Sequence, residues 1–248
     1  MIIGKWLRQK LCQSGVIACG FLSILLVEAA LADYKPPVEQ EPPSDYTKSG
    51  TAGSRGGCQG SEAIPLTLLT PQTHIGQTAS THPTFAWFVP TSENVSMEFR
   101  LFEYDLNNKP TKLIVALSIP LSSAKIRKIS LSDKYSLTVR KKYLWQIAID
   151  CPDSQLDLIA RADIKVVSSS LTEPALSSSK LAETYAQLSL WYDALGQALE
   201  VAKQGKLGED AAILLEELAN YEAGKLVNST AEAPNPVDRL RQIAVSER

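Results

Sequence analysis

The pattern of apolar and polar residues predicts β structure followed by helices. Between residues 58 and 168, short stretches alternate apolar with polar positions, the period of a half-buried strand. Val95–Leu101 and Leu113–Ile119 both alternate in this way, and the turn-forming residues Asn107–Pro110 between them predict a hairpin. The further predicted strands are residues 64–69, 85–89, 126–131, 137–140, 143–149 and 164–167.

The strand segments follow one another without an intervening helical period. This order favours hairpin connections over the crossovers of a parallel sheet. The predicted fold class is therefore mainly β with α: an antiparallel β-sandwich of about seven to eight strands over residues 58–168, followed by a small helical region.

Residues 175–226 change to a helical period and predict three short helices. Leu181, Tyr185 and Leu188 share one helical face, and Leu214, Leu215 and Leu218 share another. Residues 227–248 are expected to form a loose C-terminal tail, in which residues 238–247 have weak helical character.

The first 32 residues predict a secretory signal peptide. Three basic residues precede an apolar run, and the small residues of Ala30-Leu31-Ala32 predict cleavage between Ala32 and Asp33. A lipid-modified Cys19 is the alternative, although the apolar run continues beyond it. The Pro-rich residues 33–57 are then expected to be a disordered linker.

Charge and cysteine content fit an exported protein without nucleic acid as a partner. The chain has 25 Lys and Arg and 27 Asp and Glu. Removal of residues 1–32 takes three bases and one acid, which leaves a net charge of −4. An acidic chain without a long basic stretch is not expected to bind nucleic acid, because that binding depends on Lys and Arg that neutralise the phosphates. Cys58 and Cys151 remain, and an even pair in an oxidising compartment predicts one disulfide.

The chain contains few side-chain patterns that predict chemistry. His74 and His82 are its only histidines, and the acids Asp150, Asp153 and Asp157 flank Cys151. Neither group has the spacing of a metal site or a catalytic triad. The aromatics Trp87, Phe88 and Trp145 suit a core, or else a sugar-binding face. We expect no catalytic residue, metal or cofactor.

The first two predicted helices resemble a single tetratricopeptide-like hairpin. The residues that carry this resemblance are Ala182, Tyr185, Trp191, Ala194, Ala198 and Val201. A solenoid needs about three repeats to bury its own core, so one hairpin must dock on the sandwich or on a partner.

The mature chain is similar to the domain of unknown function 928 family, secreted proteins found chiefly in cyanobacteria. The matching segments are Arg55–Cys58, Gly76–Thr78, His82–Pro90, Tyr143–Trp145 ahead of Cys151, Tyr185-Ala186 and Trp191–Leu195. The chain departs from the family pattern at Cys151-Pro152-Asp153 and at Arg161. The resemblance implies secretion and a β-plus-helix architecture, and it implies no function.

The leading hypothesis is therefore an exported, non-catalytic binding or scaffold module that acts through protein contacts. A carbohydrate- or envelope-binding domain is the first alternative, and a hydrolase that uses carboxylates is the second. The sequence does not distinguish periplasm, thylakoid lumen and medium, nor does it define an oligomeric state.

Overall fold

The computed structural model describes residues 34–47, 64–90, 95–150, 157–169, 175–225 and 235–248. The predicted signal peptide, both cysteines of the predicted disulfide and Asp153 lie outside these ranges. Among the described residues, no helix is long and apolar enough to span a membrane.

Strands in the described ranges form two sheets. A three-stranded sheet has the order β1-β3-β6, and a five-stranded sheet has the order β2-β8-β7-β4-β5. This architecture confirms the predicted mainly-β fold followed by helices. The strands are β1 (Thr67–Leu68), β2 (Gly76–Thr78), β3 (Thr84–Phe88), β4 (Ser96–Tyr104), β5 (Pro110–Ile119), β6 (Ile126–Ser130), β7 (Lys142–Asp150) and β8 (Leu158–Val166).

Two details differ from the predicted antiparallel sandwich. The short edge strand β2 pairs with β8 in parallel, whereas the other described pairings are antiparallel. Residues 137–140, predicted as a strand, instead form a turn in which Arg140 has a φ of 68°. A residue in the left-handed backbone conformation interrupts the extended chain that a strand requires.

Aromatic side chains fill the space between the two sheets. The ring centroid of Phe85 lies 5.0 Å from those of both Phe99 and Trp145. Trp87, Phe88 and Trp145 are almost completely buried. These three aromatics therefore belong to the core and do not form a sugar-binding face.

The helices are α1 (Ser178–Gln187), α2 (Trp191–Glu200), α3 (Gly208–Ala223) and α4 (Pro236–Ser246). Helix α2 packs against α1 and also against β2 and β3. At its first turn, Trp191 Nε1 donates to the Leu69 carbonyl at 2.9 Å, and the Tyr192 hydroxyl lies 2.9 Å from Thr70 Oγ1. Trp145 Nε1 donates to the same hydroxyl. The helical hairpin is thus docked on the sandwich.

Residues 34–47, which we name the N-terminal strap, differ from the expected disordered linker. Tyr34 is buried, and its backbone N–H donates to Glu217 Oε2 at 2.9 Å. Farther along the strap, Glu41 pairs with Lys142 and Lys165, and the Ser44 N–H donates to Asp163. A few specific contacts outweigh the entropic cost that the Pro-rich composition suggests. The other linker residues that were predicted lie outside the described ranges.

Residues 235–248 also differ from the expected loose tail. Asn235 caps α4 by accepting from the Val237 N–H, and Pro236 occupies the first helical turn. Val237, Leu240, Ile243 and Ala244 are fully buried, and α4 packs on α3. Burial of this apolar stripe holds α4 against α3.

Candidate functional site

A cleft of the described surface lies between β6 and the chain that leaves α2. It has a volume of about 560 Å³. We name it the β6 cleft, and its lining residues are 119–122, 124, 126–129, 199, 200 and 202–206. Consecutive strand residues point to opposite faces of a sheet. Because residues 126–129 all line one cleft, the cleft must follow the edge of β6.

Among the described strands, β3 is the one that pairs with β6. β3 binds one edge, and the flanking bonds run from Val89 N–H to the Lys125 carbonyl and from Leu131 N–H to the Pro83 carbonyl. The Ile126 N–H instead points away from β3 and donates to the Gly205 carbonyl at 3.3 Å. By the alternation of an antiparallel ladder, the backbone groups of Lys128 and Ser130 face the same open edge.

Gly205 brings the connection between α2 and α3 close to this edge. Its φ is +80°, and a Cβ at this position would lie 2.8 Å from the Ala124 Cβ. Glycine adopts this conformation without strain and leaves room for the neighbouring methyl group. The local sequence therefore shapes one end of the cleft.

Positive charge predominates in the β6 cleft. Its described lining contains Arg127, Lys128, Lys203 and Lys206, against the single carboxylate of Glu200. Lys128 Nζ lies 2.7 Å from Glu200 Oε1 and donates to the Leu199 carbonyl, so that this ammonium neutralises the C-terminal end of α2.

Lys206 pairs with Glu247, so that among the described residues Arg127 and Lys203 are the basic groups of the cleft without an acidic partner. The Arg127 guanidinium donates to the carbonyl oxygens of Pro120 and Ser122, which are neutral acceptors. Burial lowers the pKa of Arg127, although an arginine remains charged at neutral pH. Lys203 is exposed. The cleft can consequently attract an anionic group.

A second polar cluster lies buried where the strap, the β1–β2 connection and α3 meet. The Tyr34 hydroxyl is 2.9 Å from His74 Nε2, and His74 Nδ1 is 3.5 Å from Glu222 Oε1. Glu222 Oε1 accepts from the Gln72 N–H, the Thr73 N–H and the Thr73 hydroxyl. Burial and the Glu222 charge raise the pKa of Tyr34.

This buried cluster contains groups that catalyse reactions in other settings, but it is closed. The side chains of His74 and Glu222 have no exposed surface. A substrate in solution would therefore not reach them, and the arrangement instead fastens three segments together. Every named contact joins elements that are distant in sequence.

The other candidate residues do not assemble into a site. His82 lies at the turn before β3, with Nδ1 3.1 Å from Thr81 Oγ1. No group of three or more His, Cys, Asp or Glu residues that could hold a metal occurs in the part of the chain that the structure describes. Asp150 ends β7 and Asp157 lies just before β8, with Asp153 outside the described ranges.

The sequence pattern predicts neither the cleft nor the buried cluster. The run Lys125-Ile126-Arg127-Lys128 is a basic strand signal, but nothing in the sequence connects it with Lys203 and Lys206. No local pattern connects His74 with Glu222, since their contact arises only from the packing of α3.

Similarities to solved structures are weak. A T. fusca AA10A structure has a TM-score of 0.29 at 9% identity, covering 40% of this chain and 54% of that one. A Bacillus amyloliquefaciens CBM33 bound to Cu(I) has a TM-score of 0.27 at 15% identity, covering 38% and 57%. A Paenibacillus sp. cycloisomaltooligosaccharide glucanotransferase has a TM-score of 0.28 at 11% identity, covering 51% and 19%. The chain thus matches little more than half of the first two structures, and less of the third.

No curated protein matches the chain in sequence. The profile of the family described as Domain of Unknown Function (DUF928) matches residues 50–223. This range includes every described strand and the helices α1 to α3. The match extends over more than half of the sequence, and the chain therefore belongs to the DUF928 family.

Proposed function

We propose that this protein is an exported, non-catalytic binding module that engages another protein through the β6 cleft. The observation that carries the proposal is the coincidence of an open strand edge with excess positive charge in one cleft. Main-chain groups at an open edge suit a polypeptide partner, and the charge suits an acidic one.

Two alternative functions receive less support from the same cleft. A carbohydrate-binding face would need exposed aromatic rings, and the described cleft lining contains none. A hydrolase would need two facing carboxylates, and Glu200 is the single acid of that lining, already paired with Lys128.

Site-specific photo-crosslinking in the producing cell tests the proposed function. A photoreactive p-benzoylphenylalanine replaces Leu121, which is 64% exposed and lines the cleft. The matched control carries the same residue at Leu106, which is fully exposed at the β4–β5 turn. A discrete protein adduct is expected from position 121 and not from position 106. Equal adducts from both positions, or none from position 121, would contradict the proposal.

Export is the second component of the proposal. The protein from the producing cell is expected to begin at Asp33 and to carry one disulfide between Cys58 and Cys151. N-terminal sequencing and non-reducing peptide mapping check both points. An intact Met1, a lipid-modified Cys19 or alkylation of either cysteine without reduction would count against export in this form.

A further inference from the structure

The open edge of β6 begins with a bond that already resembles strand addition. The Gly205 carbonyl accepts the Ile126 N–H on the side of β6 that faces away from β3. The next backbone groups that face this side belong to Lys128 and Ser130. Their pairing with an added backbone would extend the three-stranded sheet beyond its present edge.

Both faces of an added strand would meet apolar surface and positive charge. Arg127 and Ile129 are two residues apart and share one face of β6. Lys128 points to the other face, where its Nζ reaches the Leu199 carbonyl, and Lys203 follows one turn later along the same chain segment. Alternate side chains of an extended segment point to opposite faces. A segment with acidic and apolar residues on both of its faces would therefore match this lining.

We propose that the partner of this protein binds by adding an extended segment of acidic and apolar residues to the free edge of β6. This inference rests on the proposed function and specifies how the partner is recognised. Backbone pairing with Lys128 and Ser130 provides affinity, and Arg127 with Lys203 selects acidic side chains.

A second copy of this chain does not fit the same edge. Two β6 edges that met would bring Arg127 and Lys128 against their own copies, and like charges that face each other are destabilising. Basic side chains on an edge strand often serve only to prevent aggregation. Here the edge also lines a cleft of about 560 Å³, which gives an added strand a place to bind.

Fluorescence anisotropy with short peptides tests the inference on the full mature chain. The probe is a labelled peptide in which pairs of Glu alternate with pairs of Val over about seven residues, close to a common strand length, so that each face has both residue types. Its matched control has the same sequence with N-methyl groups on alternate amides, which removes the donors of one edge and keeps the charge. A Lys-Val peptide and an oligogalacturonate test the need for acidic charge and for a polypeptide backbone.

Binding of the Glu-Val peptide is expected to weaken by tenfold or more on N-methylation. The variant Lys203→Glu should weaken binding of this peptide by about tenfold, or roughly 1.4 kcal/mol, because it replaces a positive charge in the cleft with a negative one. Lys109→Glu reverses an exposed charge at the β4–β5 turn and should leave binding unchanged. Thermal melts of both variants exclude misfolding as the cause.

Three outcomes would overturn strand addition: no binding of the Glu-Val peptide, equal binding of its N-methylated form, or equal binding of the oligogalacturonate. If position 121 still forms a protein adduct in the cell, the proposed function stands and only the mode of recognition fails. If position 121 forms no adduct, the proposed function fails, whatever the peptides do.

Discussion

Single buried polar groups bind the segments of this fold to one another. Glu222 has no exposed surface, and one of its oxygens accepts three hydrogen bonds from Gln72 and Thr73. A buried donor that loses its acceptor costs about 1–3 kcal/mol. At this scale, a single carboxylate attaches α3 to the β1–β2 connection.

Replacement of Glu222 by alanine is predicted to lower the free energy of unfolding by about 1–3 kcal/mol, because three partly buried donors lose their charged acceptor. Urea denaturation measures the change. Glu216→Ala is the control on the same helix, where the removed contact is a partly exposed ion pair with Arg248, and it should cost less than about 1 kcal/mol. Equal losses for the two variants would refute the role of Glu222.

Asp193 is predicted to make stability depend on pH. It accepts from the Ala79 and Ser80 N–H groups, but burial has the larger effect and raises its pKa above the ordinary 3.8. Between these two pKa values the folded state binds more protons than the unfolded state. Protonation therefore favours folding as the pH falls, and this contribution is lost as the pH rises through the folded pKa.

The measurement compares the free energies of unfolding of the wild type and Asp193→Asn from about pH 7 down to pH 4, which is close to the ordinary aspartate pKa. The wild type should gain stability relative to the variant towards the acid end. Asp193→Ala also lacks the carboxyl group, and its difference from the wild type should change with pH in the same direction. A difference that stays constant with pH would show that the folded pKa is not raised.

At the scale of elements, the N-terminal strap and helix α4 contribute more to the stability of the fold than their composition suggests. The N-terminal strap crosses to the five-stranded sheet through Glu41 and Ser44. Helix α4 covers α3 with an apolar stripe. Both are short, and both depend on packing for their stability.

Leu240→Ala tests the contribution of α4. Leu240 is fully buried, and its truncation should lower the free energy of unfolding by about 2–5 kcal/mol through lost burial and a residual cavity. Val245→Ala on the same helix removes a side chain that is 70% exposed, and it should change stability by less than about 0.5 kcal/mol. Similar small effects for both would mean that α4 is not held on α3 in solution.

The sequence predicted the elements that have a strong period of their own. Strands β4 and β5 and the apolar stripe of α3 belong to this group, since one side of each is buried. Strand β2 was missed because it has three residues and depends on β8. The strap was missed because its composition resembles a linker, while its stability comes from partners distant in sequence. The cleft depends on the same kind of packing.

For the whole molecule, the helices and sheets share one core. Tyr192 of α2 lies against both Phe85 and Trp145 of the two sheets, and Tyr34 of the strap contacts Trp191. The helical region therefore has no separate interior. The interface between its helices and the sandwich contributes to the stability of both.

The isolated fragment 175–248 is accordingly predicted to be largely unfolded. Helices α1 and α2 have ten residues each, a length at which isolated helices are marginal in water. The fragment also lacks the sheet partners of Trp191 and Tyr192. Far-UV circular dichroism of the fragment beside the mature chain measures this. A fragment that is fully helical and monomeric would disprove the dependence on the sandwich.

The position of the strap has a consequence for the order in which the chain folds. Tyr34 contacts Glu217, 183 residues later, and Gln40 contacts Tyr221, 181 residues later. These bonds cannot form until almost the entire polypeptide has been synthesised, and contacts between distant residues slow folding. A chain that stops before α3 would keep the partners of Glu41 and Ser44 but lack those of Tyr34 and Gln40. The first half of the strap, with Pro36-Pro37, is therefore expected to be more accessible to proteases in incomplete copies than in the full chain.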